Sequence, residues 1–527
     1  MEWFWWLMAI FFLLWLMERQ AEVNRIKKRR KEAGKFEPVI RANPNSAASS
    51  RWASDKLLRA GGYFKGKGWR IGLSQSGKPL HYGGPGHICL TSPARTLKFV
   101  SILGGAMLER PNPMASRCLI DPKGELCAVT HAKAAEFSEV VAVDPFGTLK
   151  KLGVKGVRIV GFNPLSVLDA ASISLGGDVD SITDGVFARE AGGGENSAFF
   201  DDSAAGLHSV GIRVLVKYGR QEEKNLVAVR DAICRDVFGF AAKYAYCGDA
   251  VAEAEFSRYT SRKAADSKSI DDIVSTFRTQ TAFIGMEGIR ESLMADGLRW
   301  RDLKRKPMTV YLILPLDKLG TGATKWFRLC MSTGLNELLK AGPRGLPVLW
   351  VIDEFFSVNN PPLKTFQAAM SQAAGAAKMQ VLVVLQDLAQ LQTMYPHGQG
   401  WRTFLSNSAV KIFFGGPMLD KETSEYIAQM CGEQEVIVSS RNVSDDKARR
   451  VGDLYDVNIG DGAAVAWQPL IRPHEVRRMS ASEMIVFAEK VGAPIFGKRK
   501  PYWETHRGYR PNPYYNGGGG GLFGIFR

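Results

Sequence analysis

The residues best placed for chemistry are two adjacent carboxylates, Asp353 and Glu354, which directly follow the apolar run at 346–352. An Asp and a Glu at the end of a buried strand are typical of a Walker B motif. There the Asp holds a water of Mg²⁺ and the Glu polarises the water that attacks a phosphate. The alternative is a strand that ends in two solvated acids. The pair therefore predicts nucleotide chemistry only where a phosphate-binding loop lies upstream.

The candidate phosphate-binding loop is ICLTSPARTLKF at 88–99. Such loops read G-x-x-x-x-G-K-[ST] after a strand, because glycines let backbone N–H groups approach phosphate and the hydroxyl binds Mg²⁺. Lys98 stands where the loop lysine belongs. Leu97 replaces the second glycine, where a Cβ is costly, and Phe99 replaces the Ser or Thr and offers Mg²⁺ no ligand. The candidate nucleotide-binding residues are Pro93, Arg95, Thr96 and Lys98.

A third polar residue, Gln386, ends the apolar run VLVVLQ at 381–386. Beside a Walker B strand it would place an amide near a γ-phosphate, and the alternative is an ordinary polar strand end. Glu354 and Gln386 are therefore the candidate catalytic residues, and Asp353 is the candidate for holding Mg²⁺ through a water. The sequence contains no HExxH or GxSxG motif and no metal-ligand cluster.

Short apolar runs recur from residue 86 onward and predict strands that are buried on both faces of a mostly parallel sheet. Helical patterns separate several of them, which indicates an α/β domain. Between about residues 170 and 300 the strand signals stop and the pattern predicts an all-helical insertion, after which strands resume at Met308. The expected strands are HICLT, RCLID, VVAVD, VRIVGF, TVYLIL, VLWVID, VLVVLQ and VKIFF.

The N-terminus carries an unbroken apolar run from Trp3 to Met17, fifteen residues long. As a helix it would span about 22 Å, short of the ~30 Å hydrocarbon core of a bilayer. Residues 19–35 follow with eight Lys or Arg against two Glu. The positive-inside rule then predicts a single-pass anchor with the main body in the cytoplasm. The anchor would tilt or thin the bilayer, and the basic stretch would contact anionic lipid. The alternative is an amphipathic or buried helix.

The chain has 527 residues, with 69 Lys and Arg against 53 Asp and Glu and a net charge of +16. This length allows roughly two to four domains. The ordinary composition excludes a disordered chain, a collagen-like repeat and a disulfide mini-scaffold. Seven cysteines without a CxxC pair indicate a reducing compartment. The positive charge indicates an anionic partner, either nucleic acid or a membrane face.

The ordered motifs resemble those of the type IV secretion coupling proteins, the TraG-like membrane ATPases of conjugation. The resemblance covers about residues 80–505, and each motif is weak when it is taken alone. Together they are specific, because they occur in the same order as in the family. The motifs are HICLTSPARTLKF, LIDPKGEL, VDPFG, FNPL, FFDDSAAGL, VYLILPLDKL, PVLWVIDEF, LQDLAQLQTMYP, NSAVKIFFGG, DKETSEYIAQMCG and IRPHEV.

The resemblance implies a RecA-like P-loop NTPase core with an all-helical insertion domain and an N-terminal membrane anchor. It also implies ATP and Mg²⁺ as ligands and a homo- or hetero-hexamer at the bacterial inner membrane. The implied partners are type IV secretion channel subunits, relaxase–DNA complexes or protein substrates, and inner-membrane lipids. The expected domains are an anchor at 1–18, a basic juxtamembrane linker at 19–80, a nucleotide-binding domain at 81–170 and 306–505, a helical domain at 171–305, and a flexible Gly-rich tail at 506–527.

Three features depart from the family pattern. The family loop reads close to GPTxSGKG or GPTxSGKT, whereas this chain has SPARTLKF. The family usually carries an arginine before the strand that ends in Gln, and QAAGAAKM at 372–379 has none. The family commonly has two transmembrane helices, and this chain has one short apolar segment.

These departures leave three alternatives for the nucleotide site. The protein binds no nucleotide and acts as a scaffold or substrate receptor, binds nucleotide weakly without hydrolysis, or is an ATPase with an unusual loop. A different class is a membrane-tethered basic binding or scaffold protein on a decayed NTPase fold, outside secretion. A chromosome-partition translocase is disfavoured, because it should keep an intact phosphate loop. The terminal LFGIF is either a docking peptide or end-of-chain packing.

Overall fold

A computed structural model of the chain describes residues 2–514, except 38, 44, 45, 47, 48, 188–194, 262–267, 396–399 and 452. The chain divides into two compact units. One combines Met1–Arg51 with Glu425–Pro473, and the other combines Trp52–Ser424 with His474–Arg527. The consecutive glycines and the LFGIF segment of the expected tail lie outside the described residues.

The strands follow the apolar runs of the sequence, and each of the eight expected runs contains one of them. Their bounds are β1 Ile40–Ala42, β2 Trp69–Leu73, β3 Pro79–Tyr82, β4 His87–Thr91, β5 Ser116–Asp121, β6 Glu139–Val143, β7 Arg158–Ile159, β8 Met308–Ile313, β9 Val348–Ile352, β10 Met379–Leu385, β11 Ser408–Phe413, β12 Glu433–Val451, β13 Leu454–Pro469, β14 Glu483–Ala488 and β15 Ile495–Lys498.

The described part of the larger unit contains one twelve-stranded sheet, in the order β3-β2-β15-β14-β11-β4-β10-β9-β5-β8-β6-β7. The strands from β11 to β7 run parallel, and β14, β15, β2 and β3 extend the sheet antiparallel. Every residue of β4, β5, β8, β9 and β10 is buried. Strands of this kind lie under helices on both faces, which explains why their sequences do not alternate with polar residues.

Helices alternate with these strands along the chain, and several of them form the insertion between β7 and β8. Their bounds are α1 Glu2–Ala33, α2 Asp55–Ala60, α3 Gly104–Leu108, α4 Glu125–Ala134, α5 Thr148–Lys151, α6 Leu175–Val186, α7 Glu195–Tyr218, α8 Leu226–Arg235, α9 Val237–Tyr244, α10 Ala250–Thr260, α11 Lys268–Gln280, α12 Glu287–Met294, α13 Asp302–Arg305, α14 Thr324–Ala341, α15 Phe355–Asn359, α16 Lys364–Ala376, α17 Leu388–Met394, α18 Gly400–Ser406, α19 Lys421–Cys431, α20 Pro473–Val476 and α21 Tyr502–Thr505.

The described residues of the insertion form helices α6 to α13 and contain no strand. Its continuous helical pattern at 225–245 is divided in the structure at Asp236. The side chain of Asp236 accepts a hydrogen bond from the backbone N–H of Gly239 at 2.9 Å and so begins α9. A cap of this kind satisfies an N–H that has no partner within the helix.

The smaller unit contains helix α1, strand β1, most of α19 and the long hairpin of β12 and β13. Helix α1 continues to Ala33, so most of the basic stretch that was expected to be a linker is helical. Among the described residues, no helix combines the length and the apolar content that crossing a membrane requires. The hairpin interrupts the second part of the expected nucleotide-binding domain, a feature that its polar, mostly exposed strands did not reveal.

Candidate phosphate-loop site

The loop between β4 and the next helix keeps a backbone shape that usually needs glycine. Arg95 and Leu97 lie in the left-handed region, with φ of 62° and 61°. A side chain in this conformation costs about 1–2 kcal/mol per residue. The helix that follows starts with a π-helical turn, Phe99–Leu103, and continues as α3. The loop therefore places two residues in a conformation that favours glycine, as phosphate-binding loops do, although it contains no glycine.

Short hydrogen bonds tie the start of this loop to the sheet and to itself. The backbone N–H of Ser92 donates to the carbonyl of Leu385 in β10 at 2.8 Å. The hydroxyl of Thr96 donates to the carbonyl of Pro93 at 2.6 Å and lies 2.6 Å from the Ser92 hydroxyl. Thr96 and Pro93 thus stabilise the turn of the loop, and the Thr96 hydroxyl is engaged there.

Lys98 forms the centre of the site, because it pairs with both carboxylates at the end of β9. Its Nζ lies 2.8 Å from Oδ1 of Asp353 and 2.7 Å from Oε1 of Glu354. Burial alone would lower the pKa of Lys98, but the two carboxylate charges outweigh burial and raise this pKa above its usual value. The lysine is therefore charged throughout the physiological range and is already paired with protein carboxylates.

Gln386 completes the cluster from the neighbouring strand. Its Nε2 donates to Oε2 of Glu354 at 3.3 Å, and its own backbone N–H donates to Oε1 of Gln390 at 2.9 Å. Strand β10 lies between β4 and β9, so the ends of the three strands bring the loop, Gln386 and the acid pair to one edge. Glu354 itself has φ of 53°, a left-handed conformation at the start of α15.

The structure therefore brings together Lys98, Asp353, Glu354 and Gln386, four of the residues proposed from the sequence. Pro93 and Thr96 belong to the same loop and hold its shape. Arg95 also lies on the loop, with an exposed side chain. No group of three or more His, Cys, Asp or Glu in the described residues is arranged to hold a metal ion.

Phe99 packs into the hydrophobic core. It is buried, and its ring packs edge-on against Tyr502 of α21 with 5.7 Å between the centroids. The position that supplies a Mg²⁺ ligand in a complete loop is therefore filled here by an apolar contact.

Arg499 is a site residue that the sequence did not reveal. It is only 1% exposed. Its Nη1 donates to the carbonyl of Thr96 and, at 3.2 Å, to the hydroxyl of Ser101. The guanidinium also lies 3.8 Å from the centroid of the Phe414 ring. Burial lowers the pKa of Arg499 to about 9. In the sequence it stands within a basic run at 498–500, which is the usual pattern of a solvated surface.

Two further carboxyls line the same edge of the sheet. Asp121 ends β5, beside β9, and accepts a hydrogen bond from the backbone N–H of Cys127 at 2.9 Å. Burial raises the pKa of Asp121 to about 7. Burial also raises the pKa of Glu125, and Asn512 opposes this by donating to its Oε1 at 2.7 Å. The LIDPKGEL motif carries both acids, so the sequence could have indicated them.

The C-terminal segment 499–514 joins both sides of this site. Beyond the contacts of Arg499 and Asn512, the hydroxyl of Tyr514 donates to the carbonyl of Lys123 at 2.7 Å. The backbone N–H of Arg510 donates to the carbonyl of Val129 in α4 at 2.9 Å. The flexible tail was expected to begin at residue 506, whereas residues 506–514 form these contacts with α4 and the loop before it.

The site fits a magnesium nucleotide only in part. The loop shape and Lys98 suit a phosphate, and Asp353 suits a water of Mg²⁺. The hydroxyl ligand is replaced by the buried phenyl ring of Phe99, and the positive charge of Lys98 is already balanced by Asp353 and Glu354. Because one required ligand is lacking, no hydrolytic step follows from these residues.

The sheet order and this loop define the class of the protein. One strand separates the loop-bearing strand β4 from the acid-bearing strand β9 within a large parallel sheet, which places the protein in the α/β class. The sequence matches the family described as type IV secretory system conjugative DNA transfer over residues 25–515. The chain belongs to this family.

Solved structures agree on the fold. The bacterial conjugative coupling protein TrwBdeltaN70 in an unbound form is similar, with a TM-score of 0.59 and 15% identity over 88% of this chain and 96% of that chain. The plasmid coupling protein TrwB in complex with ADP and Mg²⁺ is also similar, with a TM-score of 0.59 and 15% identity over 91% of this chain and 97% of that chain. TrwB in complex with a non-hydrolysable ATP analogue has a TM-score of 0.56 and 14% identity over 86% of this chain and 93% of that chain. No protein with a curated description matches the sequence.

Proposed function

We propose that the protein is an inner-membrane coupling protein of a type IV secretion or conjugation system, with weakened or absent ATP hydrolysis. Membership of the conjugative DNA transfer family supports the coupling role. The proposal of weakened ATP hydrolysis rests on the pairing of Lys98 with both Asp353 and Glu354 and on the burial of Phe99. A nucleotide phosphate must compete with these two carboxylates for the ammonium, and Mg²⁺ lacks the hydroxyl oxygen of a complete loop.

Lys98, Asp353, Glu354 and Gln386 have defined roles in this proposal. Lys98 would hold a phosphate, and Asp353 would hold Mg²⁺ through a water. Glu354 and Gln386 would lie on the side from which a water attacks the γ-phosphate. The family similarity to a protein solved with ADP and Mg²⁺ supports these ligands for the site. The residues of this chain favour weak or no binding, and the scaffold alternative follows where binding is absent.

The test compares ATP binding and hydrolysis by the purified full chain with three variants. Lys98→Ala and Glu354→Gln remove two charged partners, and Leu97→Gly with Phe99→Thr restores the second glycine and the hydroxyl residue of a complete loop. We expect the wild-type hydrolysis rate to equal that of Lys98→Ala. We also expect the double variant to bind Mg²⁺–ATP at least about tenfold more tightly, since it relieves the strain at residue 97 and regains a metal ligand.

Each outcome selects one alternative. Hydrolysis by the wild type that both single variants abolish would show a working ATPase and would overturn the proposed weakening. Saturable ATP binding without turnover would support a nucleotide-binding but inactive subunit. An absence of binding up to millimolar ATP would support a scaffold or substrate receptor.

We also propose a single-pass anchor at residues 1–18, with the main body in the cytoplasm. The side chains of Trp3–Met17 are exposed around the whole of this part of α1, and the basic stretch follows directly. Extraction of membranes with alkaline carbonate tests the anchor, because an integral protein stays in the pellet. Release into the supernatant would contradict it. A reporter fused at the N-terminus tests the orientation and should be active only on the periplasmic side.

The proposed partners are channel subunits and either relaxase–DNA complexes or protein substrates, recruited by a homo- or hetero-hexamer. The net charge of +16 supports a role in handling DNA, whose phosphates attract basic surfaces. Deletion of the gene should abolish transfer of a mobilisable plasmid or of secreted proteins, and the Lys98→Ala variant should complement the deletion. Normal transfer after deletion would favour the alternative of a membrane-tethered scaffold outside secretion.

A further inference from the structure

The hairpin of β12 and β13 lies along the segment that leads from the apolar end of α1 to residue 50. The contacts follow in order along both segments. The backbone N–H of Ser50 donates to the Glu433 carbonyl at the hairpin base, and Ile40 pairs with Val438 further along. The guanidinium of Arg441 lies 4.6 Å from the Phe36 ring centroid. The tip of the hairpin is therefore directed toward the N-terminal half of α1.

Ion pairs fasten the region near the tip to the basic part of α1. Nη1 of Arg29 lies 2.8 Å from Oδ2 of Asp456. Arg30 pairs with Asp445 and also donates to the carbonyl of Tyr455 at 3.0 Å from its Nη2. Two acids of the hairpin thus neutralise two of the eight cations in residues 19–35. The remaining cations of α1 include the exposed side chains of Arg25, Lys27, Lys28 and Lys31.

The tip adds cations of its own on an irregular stretch of β12. The pairing of β12 with β13 shifts between Asp446 and Arg450, so Lys447, Ala448 and Arg449 have no opposite residue. A bulge of this kind bends the strand and redirects its side chains. Lys447, Arg449 and Arg450 are exposed, and Nη1 of Arg449 lies 4.0 Å from Oδ2 of Asp456, the acid that also pairs with Arg29. One carboxylate therefore joins the cations of the tip to those of α1.

Helical and strand geometry set the distance of this tip from the apolar run. Arg29 lies twelve residues beyond Met17, about 18 Å along a helix. The hairpin continues two residues past Asp456, to Leu454, about 7 Å along a strand. A hairpin that runs parallel to α1 places its tip about 11 Å from the last residue of the apolar run, close to the Debye length of about 8–10 Å at physiological salt.

We propose that the hairpin tip, residues 447–450, and the exposed cations of α1, residues 25–31, form one binding surface for the anionic headgroups of phospholipids. Residues 19–35 and 441–456 together carry twelve Lys or Arg against six Asp or Glu. Basic residues near a membrane each attract an anionic lipid surface, and the attraction decays within a Debye length. The hairpin then holds α1 at a defined angle to the bilayer. This inference rests on the membrane seating of the proposed function.

The test counts lipids bound to the full chain in detergent by native mass spectrometry. Phosphatidylglycerol and phosphatidylcholine with identical acyl chains are titrated separately. We expect phosphatidylglycerol to bind more tightly, and the triple change Lys447→Glu, Arg449→Glu and Arg450→Glu to weaken its apparent affinity by about tenfold or more. Binding of phosphatidylcholine should not change. The weakening should persist in the neutral version of the triple change, with Gln at each position, to a smaller extent.

The matched control reverses three exposed lysines of the other unit, Lys150, Lys151 and Lys155, and should leave lipid binding unchanged. A second variant, Lys27→Glu with Lys28→Glu, changes the part of the proposed surface that α1 supplies and should weaken phosphatidylglycerol binding as the tip variant does. Circular dichroism and melting temperature verify that each variant is folded. Wild-type binding by a folded tip variant overturns the proposal, as does equal affinity for the two lipids.

Two further results separate this surface from the rest of the proposed function. Selective loss of single-stranded DNA binding by the tip variant, with lipid binding intact, would assign the surface to DNA and overturn the lipid proposal. Carbonate extraction reports the anchor independently, because a tip variant should remain in the membrane pellet. Release of the wild type from membranes would contradict the anchor, while the lipid titration would still decide the role of the tip.

Discussion

The guanidinium of Arg499 donates to the carbonyl of Thr96, although the two residues are 403 positions apart in the chain. The same group reaches the hydroxyl of Ser101 at the start of the helix after the loop. A residue near the C-terminus thus holds the loop that begins after the fourth strand. Without glycines, the loop keeps its strained shape through contacts of this kind.

Replacing Arg499 should therefore loosen the phosphate loop and destabilise the larger unit. Arg499→Ala removes the donor to three acceptors, the carbonyls of Thr96 and Glu483 and the hydroxyl of Ser101, and opens a cavity beside Phe414, so we expect a loss of about 2–4 kcal/mol. Arg499→Lys keeps a cation but loses the fork of donors and should recover less than half of this loss. Urea unfolding measures both. Lys500→Ala, at an exposed neighbour, is the control and should stay within about 0.5 kcal/mol of the wild type.

The left-handed conformation of Arg95 predicts an unusual order of stability at this position. Its side chain is exposed and its φ is 62°, so its replacement removes no core contact. Arg95→Gly should be more stable than Arg95→Ala by about 1 kcal/mol, because only glycine adopts this conformation without steric cost. At a residue with negative φ the order is normally the reverse. Equal stability of the two variants would indicate that the loop changes its conformation.

The pairing of Lys98 with Glu354 should appear as a coupling energy. Lys98→Met leaves two carboxylates without their cation and should cost about 1–3 kcal/mol, since the side chains are only partly buried. Glu354→Gln alone removes one partner. In the double variant the costs should not add, with a coupling of about 1 kcal/mol or more. Because the pKa of Lys98 is raised, this contribution should be constant from pH 6 to 9 and decline only at strongly alkaline pH.

Asp121 should make the folded state less stable as the pH rises. Burial raises the pKa of Asp121 to about 7, so the folded protein binds a proton that the unfolded chain has already released above about pH 4. Stability from this group is complete at about pH 4 and is lost progressively toward pH 7. Asp121→Asn keeps the acceptor for the Cys127 N–H and should reduce this decline by on the order of 1–4 kcal/mol. Urea unfolding at pH 5 and pH 7.5 measures the difference, and an unchanged slope would contradict the prediction.

The sequence alone determined the elements that local patterns encode. Each of the eight apolar runs contains a strand, because strands buried on both faces must be apolar throughout. The acid pair after β9, Lys98 after β4 and Gln386 after β10 were recognisable for a related reason. Parallel strands place their carboxyl ends at one edge, so polar residues that directly follow such strands must meet there.

Only the tertiary structure decided which groups these residues contact. The pairing of Lys98 with both acids, the burial of Phe99 against Tyr502 and the hold of Arg499 on Thr96 join residues far apart in the chain. The basic run around Arg499 has the same composition as a solvated surface, and the polar hairpin at 433–469 lacks the apolar signal of a core strand. Local patterns report the burial of a segment, whereas the partner of a charged side chain depends on which distant segment the chain brings beside it.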